Sequence, residues 1–422
     1  MKRVLIALLM VAALLAGWVW LLNFHEERIE DGPVGPPSAE QVSRGAYLAR
    51  AGNCMGCHTE RGGEAFAGGR TLATPFGALY ASNLTPDLET GLGRWTPGQF
   101  WRALHHGRSA DGRLLYPAFP YPYYTQVTRA DADALFAYLR SVPPVRKRNR
   151  IHALRWPYNT QTALAVWRAL YFRPADQETV ANVAADRGAY LVRGLGHCGA
   201  CHSPRNALGG THDLMDLSGG VIPMQNWYAP SLSARSEAGV ADWPTAQVVQ
   251  LLQTGAAPRG TVLGPMAEVV LNSTQHLSAA DLQAMAGYLK SLPSAPAQAE
   301  SDPYVVPAAS AAVRERGGKL YGEHCAQCHG DSGQGVPKAY PPLAGNRAVT
   351  LPVTVNLVQV LLHGGFAPAT EGNPRPFGMP PYALVLNDAD IAAVLSYIRG
   401  AWGNRGAPVG EFEVSQQRGS AQ

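Results

Sequence analysis

The chain has 422 residues, with 35 Lys and Arg against 31 Asp and Glu and a net charge of +4. That near balance excludes the basic footprint of a nucleic-acid binder. Its 45 glycines and 33 prolines predict many loops and short elements, and its length leaves room for two to four domains.

At the N-terminus, Lys2 and Arg3 precede an uncharged apolar run from Val4 to Leu22. As a helix, that run is long enough to cross a hydrocarbon core roughly 30 Å thick. The cationic end stays inside and sends the chain outward, and Trp18 and Trp20 suit a membrane interface. The run is longer than a signal h-region and no small-x-small cleavage site follows it. Residues 1–24 are therefore expected to be a retained anchor rather than a cleaved signal. The expected location is the bacterial cytoplasmic membrane, with the following domains on its periplasmic side.

Three copies of one motif come next: Cys54-Met55-Gly56-Cys57-His58, Cys198-Gly199-Ala200-Cys201-His202 and Cys325-Ala326-Gln327-Cys328-His329. C-x-x-C-H is the attachment signature of haem c. All six cysteines of the chain fall inside these motifs. A redox dithiol or a zinc ribbon would not require a histidine after every second cysteine. The expected cofactors are three covalent haems, held by Cys54, Cys57, Cys198, Cys201, Cys325 and Cys328, with His58, His202 and His329 as proximal iron ligands.

The motifs lie in a degenerate repeat. Each copy opens on an Arg-Gly pair, at Arg44-Gly45, Arg187-Gly188 and Arg316-Gly317. A middle helix stops at Gly107, Gly255 and Gly364. Closing helices are predicted over 128–140, 277–290 and 387–399, carrying Tyr138, Tyr288 and Tyr397. Ile391, Val394, Leu395 and Ile398 have the three-four spacing of an amphipathic helix. The predicted fold is all-α, with three tandem domains after one transmembrane helix. Expected boundaries are 38–142, 176–292 and 308–405. Between them lie a linker over 143–175 with a helix at 160–172 and an extended linker over 293–307, and a loose tail spans 406–422.

Methionine opposite histidine suits a haem that only carries electrons. Met266 in Gly264-Pro265-Met266 and Met379 in Gly378-Met379-Pro380 are the expected distal ligands of the second and third haems. Met285 lies inside a closing helix and is expected in the core. From His58 to the end of the first repeat there is no methionine, and Phe119 stands where Met379 stands in the third. Open coordination of the first iron, or ligation by His105, His106 or His152, are the alternatives. His197 and His324, which precede motifs, are expected to pack or to contact a propionate. His25, His212 and His276 are expected at the surface, and the basic run 146–150 as a solvated linker face.

Beyond the haem motifs, several segments carry a resemblance. They are Ser82-Asn83-Leu84-Thr85-Pro86-Asp87, Thr90-Gly91-Leu92-Gly93-Arg94-Trp95, Leu115-Tyr116-Pro117-Ala118, the stretch from Gly196 to Arg205, and Trp402-Gly403-Asn404. From about Arg44 to Trp402 the chain resembles the triheme cytochrome c subunits of bacterial membrane-bound dehydrogenases, which serve alcohol, gluconate, sorbitol, fructose and aldehyde dehydrogenases. The family usually has methionine at the Phe119 position, so this chain departs from that pattern there. The resemblance implies electron transfer from a catalytic partner subunit through three haems to ubiquinone or a terminal oxidase, without catalysis by this chain. An uncleaved anchor resembles the subtype that accompanies molybdenum aldehyde dehydrogenases; a flavoprotein or quinoprotein partner is the alternative. Two other functions stay open: a peroxidase-like enzyme using an open first iron, and a cytochrome subunit of an oxidase.

Overall fold

The computed structural model describes residues 1–24, 31, 36–211, 213–293 and 308–419. His25, His212 and nearly all of the second linker fall outside the described residues. The chain forms two compact units. One comprises Met1–Asp186, Arg193–Ala200 and Arg205–Leu214, and the other Arg187–Val192, Cys201–Pro204 and Met215–Gln422.

In the first unit the opening helix Ala39–Ala51 crosses the closing helix Arg129–Ser141. Ser38 starts the first of these with a capping box, its hydroxyl accepting from the Gln41 N–H while Gln41 accepts from the Ser38 N–H. At the crossing a Cβ on Gly45 would overlap the Ala134 carbonyl oxygen, so only glycine lets the two backbones meet. The middle helix Pro97–His106 is capped by Thr96 and ends at Gly107, whose φ of 60° is left-handed.

The first linker is docked within this unit. Ala153–Leu154 adds a third strand to the hairpin of Thr71–Thr74 and Gly77–Tyr80. The predicted linker helix forms as Gln161–Tyr171. The basic run is paired rather than simply solvated: Arg146 meets Glu89, Lys147 meets Glu60, and Arg150 lies over the Tyr80 ring. The buried Asn83 amide donates to the Val145 carbonyl at 2.8 Å, which fixes this return path. The apolar helix Lys2–Phe24 has the length and composition of a membrane span. Its end is tied to the linker helix through Asn23, which donates to the Ala165 carbonyl at 2.9 Å and accepts from Arg168 Nε at 2.9 Å.

The second unit holds two more helix crossings; of the second repeat's opening stretch, Arg187–Val192 belongs to it and the flanking residues to the first unit. In the second repeat the helical stretch around the Arg-Gly pair is broken. Gln177–Ala185 ends at an extended Asp186, and Arg187–Ala189 continues as a π-helical segment Tyr190–Leu195. Gly188 meets the Ala284 carbonyl of the closing helix Ala279–Ser291. In the third repeat the opening helix Ala311–His324 crosses Asp388–Gly400, with Gly317 against the Ala393 carbonyl. Middle helices Thr245–Thr254 and Val355–His363 end at Gly255 and Gly364, both at positive φ.

All three closing helices share a device that the Arg-Gly pairs and capping residues only hinted at. Thr128, Ser278 and Asn387 cap them, and the third helical residue is Asp131, Asp281 or Asp390. Those aspartates pair with Arg44, Arg187 and Arg316 at 2.5, 2.7 and 2.6 Å. Helix start and helix crossing are thereby locked together.

Ile391, Val394, Leu395 and Ile398 are buried, as their spacing predicts. The tail departs from expectation. Glu411–Gly419 is helical and Val414 is fully buried in the third repeat's core. The buried Arg399 guanidinium donates to the Ala407, Val349 and Leu351 carbonyls and draws the tail inward. Short hairpins accompany the helices, each of two strands apart from the three-stranded one. Within this unit the second and third repeats touch: Arg347 grips Asp242 at 2.8 Å, and Asn356 bonds both backbone groups of Tyr228.

Candidate functional site

Each C-x-x-C-H motif folds into a short helical turn ending at its histidine: Cys54–His58, Gly199–His202 and Ala326–His329. The three histidines are held identically. His58 Nδ1 bonds the Ser82 carbonyl at 2.8 Å, His202 Nδ1 the Pro230 carbonyl at 2.7 Å, and His329 Nδ1 the Pro341 carbonyl at 3.0 Å. A carbonyl only accepts, so Nδ1 carries the proton and Nε2 keeps its lone pair for a metal. Burial pushes all three histidines below their ordinary range, against the opposing pull of the carbonyl bond. They are neutral at pH 7, as a ligand must be.

A second threefold feature supports the first. Gly68, Gly219 and Gly335 each donate to the carbonyl of the motif histidine at 2.8 Å. All have positive φ, at 71°, 89° and 63°. A Cβ on each would press on the peptide beside the histidine's carbonyl partner. Neither these glycines nor Ser82, Pro230 and Pro341 were marked as site residues from sequence, because their distance from the motif differs in each repeat. One signal was present: each carbonyl residue stands two before a leucine, at Leu84, Leu232 and Leu343.

No disulfide joins the six thiols. Burial, then the neighbouring Cys57, pushes Cys54 up to about 12; burial, then Cys328, pushes Cys325 up to about 11. A catalytic dithiol needs the opposite shift.

Met379 lies in the two-residue strand Gly378–Met379 paired with Gly365–Phe366, and its carbonyl abuts Gly364. It borders the same hydrophobic core as Cys325 and Tyr382, so the third repeat brings thiol and thioether to one cluster. Met266 is not in a loop as expected; it sits in the first turn of the helix Pro265–Asn272, which starts beyond Gly264 at the Trp227 ring. Pro265 at the first helical position starts that helix. Met285 is buried in the core, and Met224 is exposed at a turn.

Phe119 is the backbone counterpart of Met266. The N–H of Leu115 closes onto the Gly107 carbonyl and that of Val262 onto the Gly255 carbonyl, both at 2.8 Å. Four residues on stand Phe119 and Met266, each donating three residues back, to Tyr116 at 3.0 Å and to Leu263 at 3.3 Å. The Phe119 ring lies 5.5 Å from Tyr124, whose hydroxyl donates to the Gly52 carbonyl. Burial raises that hydroxyl's pKa, and so do Cys54 and Cys57 beside it.

The other described histidines have distinct surroundings. His152 Nδ1 accepts from the Tyr80 N–H at 3.2 Å. His105 is buried and stacked on Trp101 with centroids 4.4 Å apart. Burial, then Arg168, Arg108 and Arg102, holds His106 down at about 4. His197 bonds the Gly52 carbonyl and packs edge-on to Tyr124, and His276 is exposed.

A sequence model of the cytochrome c family matches residues 42–143 and 314–402, the first and third repeats. The chain is 38% identical over 86% of its length to the cytochrome c subunit of the quinone alcohol dehydrogenase of Gluconacetobacter polyoxogenes, covering 81% of that protein. It is 38% identical to the gluconate 2-dehydrogenase cytochrome c subunit of Pantoea cypripedii, with 86% of each chain covered. To the fructose dehydrogenase cytochrome subunit of Gluconobacter japonicus it is 34% identical over 95% of its length, which covers 87% of that protein. The chain belongs to the cytochrome c subunits of dehydrogenases.

As a dehydrogenase cytochrome subunit it carries covalent haem c and transfers electrons for a catalytic partner. The residues in place fit that group. At each motif two cysteines precede a histidine whose Nδ1 is bonded to a carbonyl, which leaves Nε2 its lone pair, and apolar side chains flank the third motif. The second repeat lies outside the matched segments, and its opening helical stretch is the broken one.

Proposed function

We propose that the chain carries three haems c and relays electrons from a catalytic dehydrogenase subunit to ubiquinone on the periplasmic face of the membrane. The observation that carries this reading is the threefold recurrence of one histidine geometry, Nδ1 on a carbonyl and a positive-φ glycine on the histidine carbonyl, at every C-x-x-C-H motif. Cys54 and Cys57, Cys198 and Cys201, and Cys325 and Cys328 form the thioethers. His58, His202 and His329 are the proximal ligands, and Met266 and Met379 close the second and third sites. Bound haem supplies one-electron oxidation and reduction at its iron.

The chain's own residues set the conditions. The carbonyls of Ser82, Pro230 and Pro341 fix ring orientation and keep the proton off Nε2. Thioether ligation at Met266 and Met379 raises the potential of those two sites. The Arg347–Asp242 and Asn356–Tyr228 contacts hold the second and third repeats together, which keeps their centres at a constant separation. The helix Lys2–Phe24 is a retained anchor, supported by the burial of Asn23 at its end. That anchor also favours a molybdenum aldehyde dehydrogenase type of partner over a flavoprotein or quinoprotein. Intact-mass measurement of the purified chain tests the haem count: three haem additions are expected, and two would overturn it. Identification of the large subunit that co-purifies from solubilised membranes tests the partner.

A further inference from the structure

We infer that the first haem site is open on its distal face and binds small neutral π-acceptor molecules, with Phe119 as the residue above the iron. This rests on the three-haem reading and concerns only the site built by Cys54, Cys57 and His58.

Phe119 and Met266 share one backbone register, each four residues beyond the residue whose N–H closes onto the left-handed glycine that ends the middle helix. The first repeat therefore presents a phenyl ring where the second presents a thioether. The ring is also linked to the first motif through Tyr124. It contacts Tyr124, and Tyr124 is both bonded to Gly52 and electrostatically coupled to Cys54 and Cys57. A phenyl ring donates no lone pair to iron.

The histidines named as replacements each pack within their own surroundings, although the buried Nδ1 of His105 has no hydrogen-bond partner among the described residues. The Nδ1 of His152 is occupied by the Tyr80 N–H, and its ring lies edge-on to Tyr116. His105 stacks on Trp101, with the backbones of Thr125 and Ala175 around it. His106 sits in the field of three arginines, beside Arg168 of the linker helix. His197 is bonded to Gly52.

The same surroundings choose the ligand class. Phe119 has no donor or acceptor, and the Tyr124 hydroxyl is spent on the Gly52 carbonyl. Peroxide cleavage needs a positioned acid–base group, and the phenyl ring and the committed tyrosine provide none. Neutral π-acceptors need only an open ferrous iron in an apolar setting, and carbon monoxide is the probe.

The test uses the full-length chain in detergent. Electron paramagnetic resonance of the ferric protein is expected to show one high-spin and two low-spin haems. Titration of the ferrous protein is expected to take up about one carbon monoxide per chain. Phe119→Met is expected to abolish both signals with three covalent haems retained. Met266→Phe, which does not depend on how the first repeat tolerates change, is expected to raise uptake to about two. A wholly low-spin wild type that takes up no carbon monoxide, with three haems present by mass, overturns the inference and leaves the three-haem reading intact. Fewer than three haems by mass overturns that reading instead.

Discussion

Gly317 rests against the carbonyl oxygen of Ala393, at a distance that leaves no room for a Cβ. Gly45 with Ala134 and Gly188 with Ala284 repeat the contact, and in each case the β-carbon of a tyrosine (Tyr397, Tyr138 or Tyr288) closes the same spot. The Arg-Gly pairs are thus the points where opening and closing helices touch. Gly317→Ala must spread two helices that form one core, and a loss of about 3 kcal/mol is expected. Denaturant melts of the purified chain check it; a midpoint unchanged by the substitution would show that the helices separate freely.

Met379 is held by a two-residue strand beside Gly364 and faces the cluster that borders Cys325. Met379→His replaces the proposed thioether ligand, which raises the potential, with an imidazole, which does not. One haem potential is expected to fall while covalent attachment is retained. Redox titration followed in the visible bands is the measurement, and potentials that stay where they were would remove Met379 as a ligand.

His105 is held down at about 4, first by burial and then by His106. The unfolded chain takes up that proton near 6.5, so between the two values the unfolded state binds more protons. The sign follows: stability present above about pH 6.5 is lost as pH falls towards about 4. For His105 alone the loss is on the order of 3 kcal/mol. Melting of wild type and His105→Gln between these limits should show a shallower pH slope in the variant. Identical slopes would assign the pH dependence to other groups.

Asn23 is nearly inaccessible, and its amide joins the apolar N-terminal helix to Ala165 and Arg168. Asn23→Ala leaves Arg168 Nε, itself buried, without this acceptor, at a cost of about 2 kcal/mol. The apolar span is untouched, so the variant should still sediment with membranes while melting earlier in detergent. A melt identical to wild type would mean that Asn23 does not couple the N-terminal helix and the linker.

The C-x-x-C-H turns, the apolar N-terminal helix and the three-part repeat were legible in the sequence because each rests on local chemistry: fixed spacing, an apolar run, a glycine stop. The middle-helix stops at Gly107, Gly255 and Gly364 were legible for that reason. The docked tail was not, since a polar segment with one buried valine looks like a loose end until Arg399 supplies its partners. The placement of Met266 was not legible either, because Pro265 reads equally as a loop residue and as a helix start.

By itself the sequence determined what each site is made of: two thiols and a histidine, three times, and a phenylalanine where a thioether belongs. Only the tertiary structure decided how those groups are held. The carbonyls of Ser82, Pro230 and Pro341 and the glycines at 68, 219 and 335 lie at irregular distances along the chain, so no spacing rule finds them. They become equivalent in space because the glycine crossings at 45, 188 and 317 and their Arg–Asp locks place the opening and closing helices of each repeat in the same way.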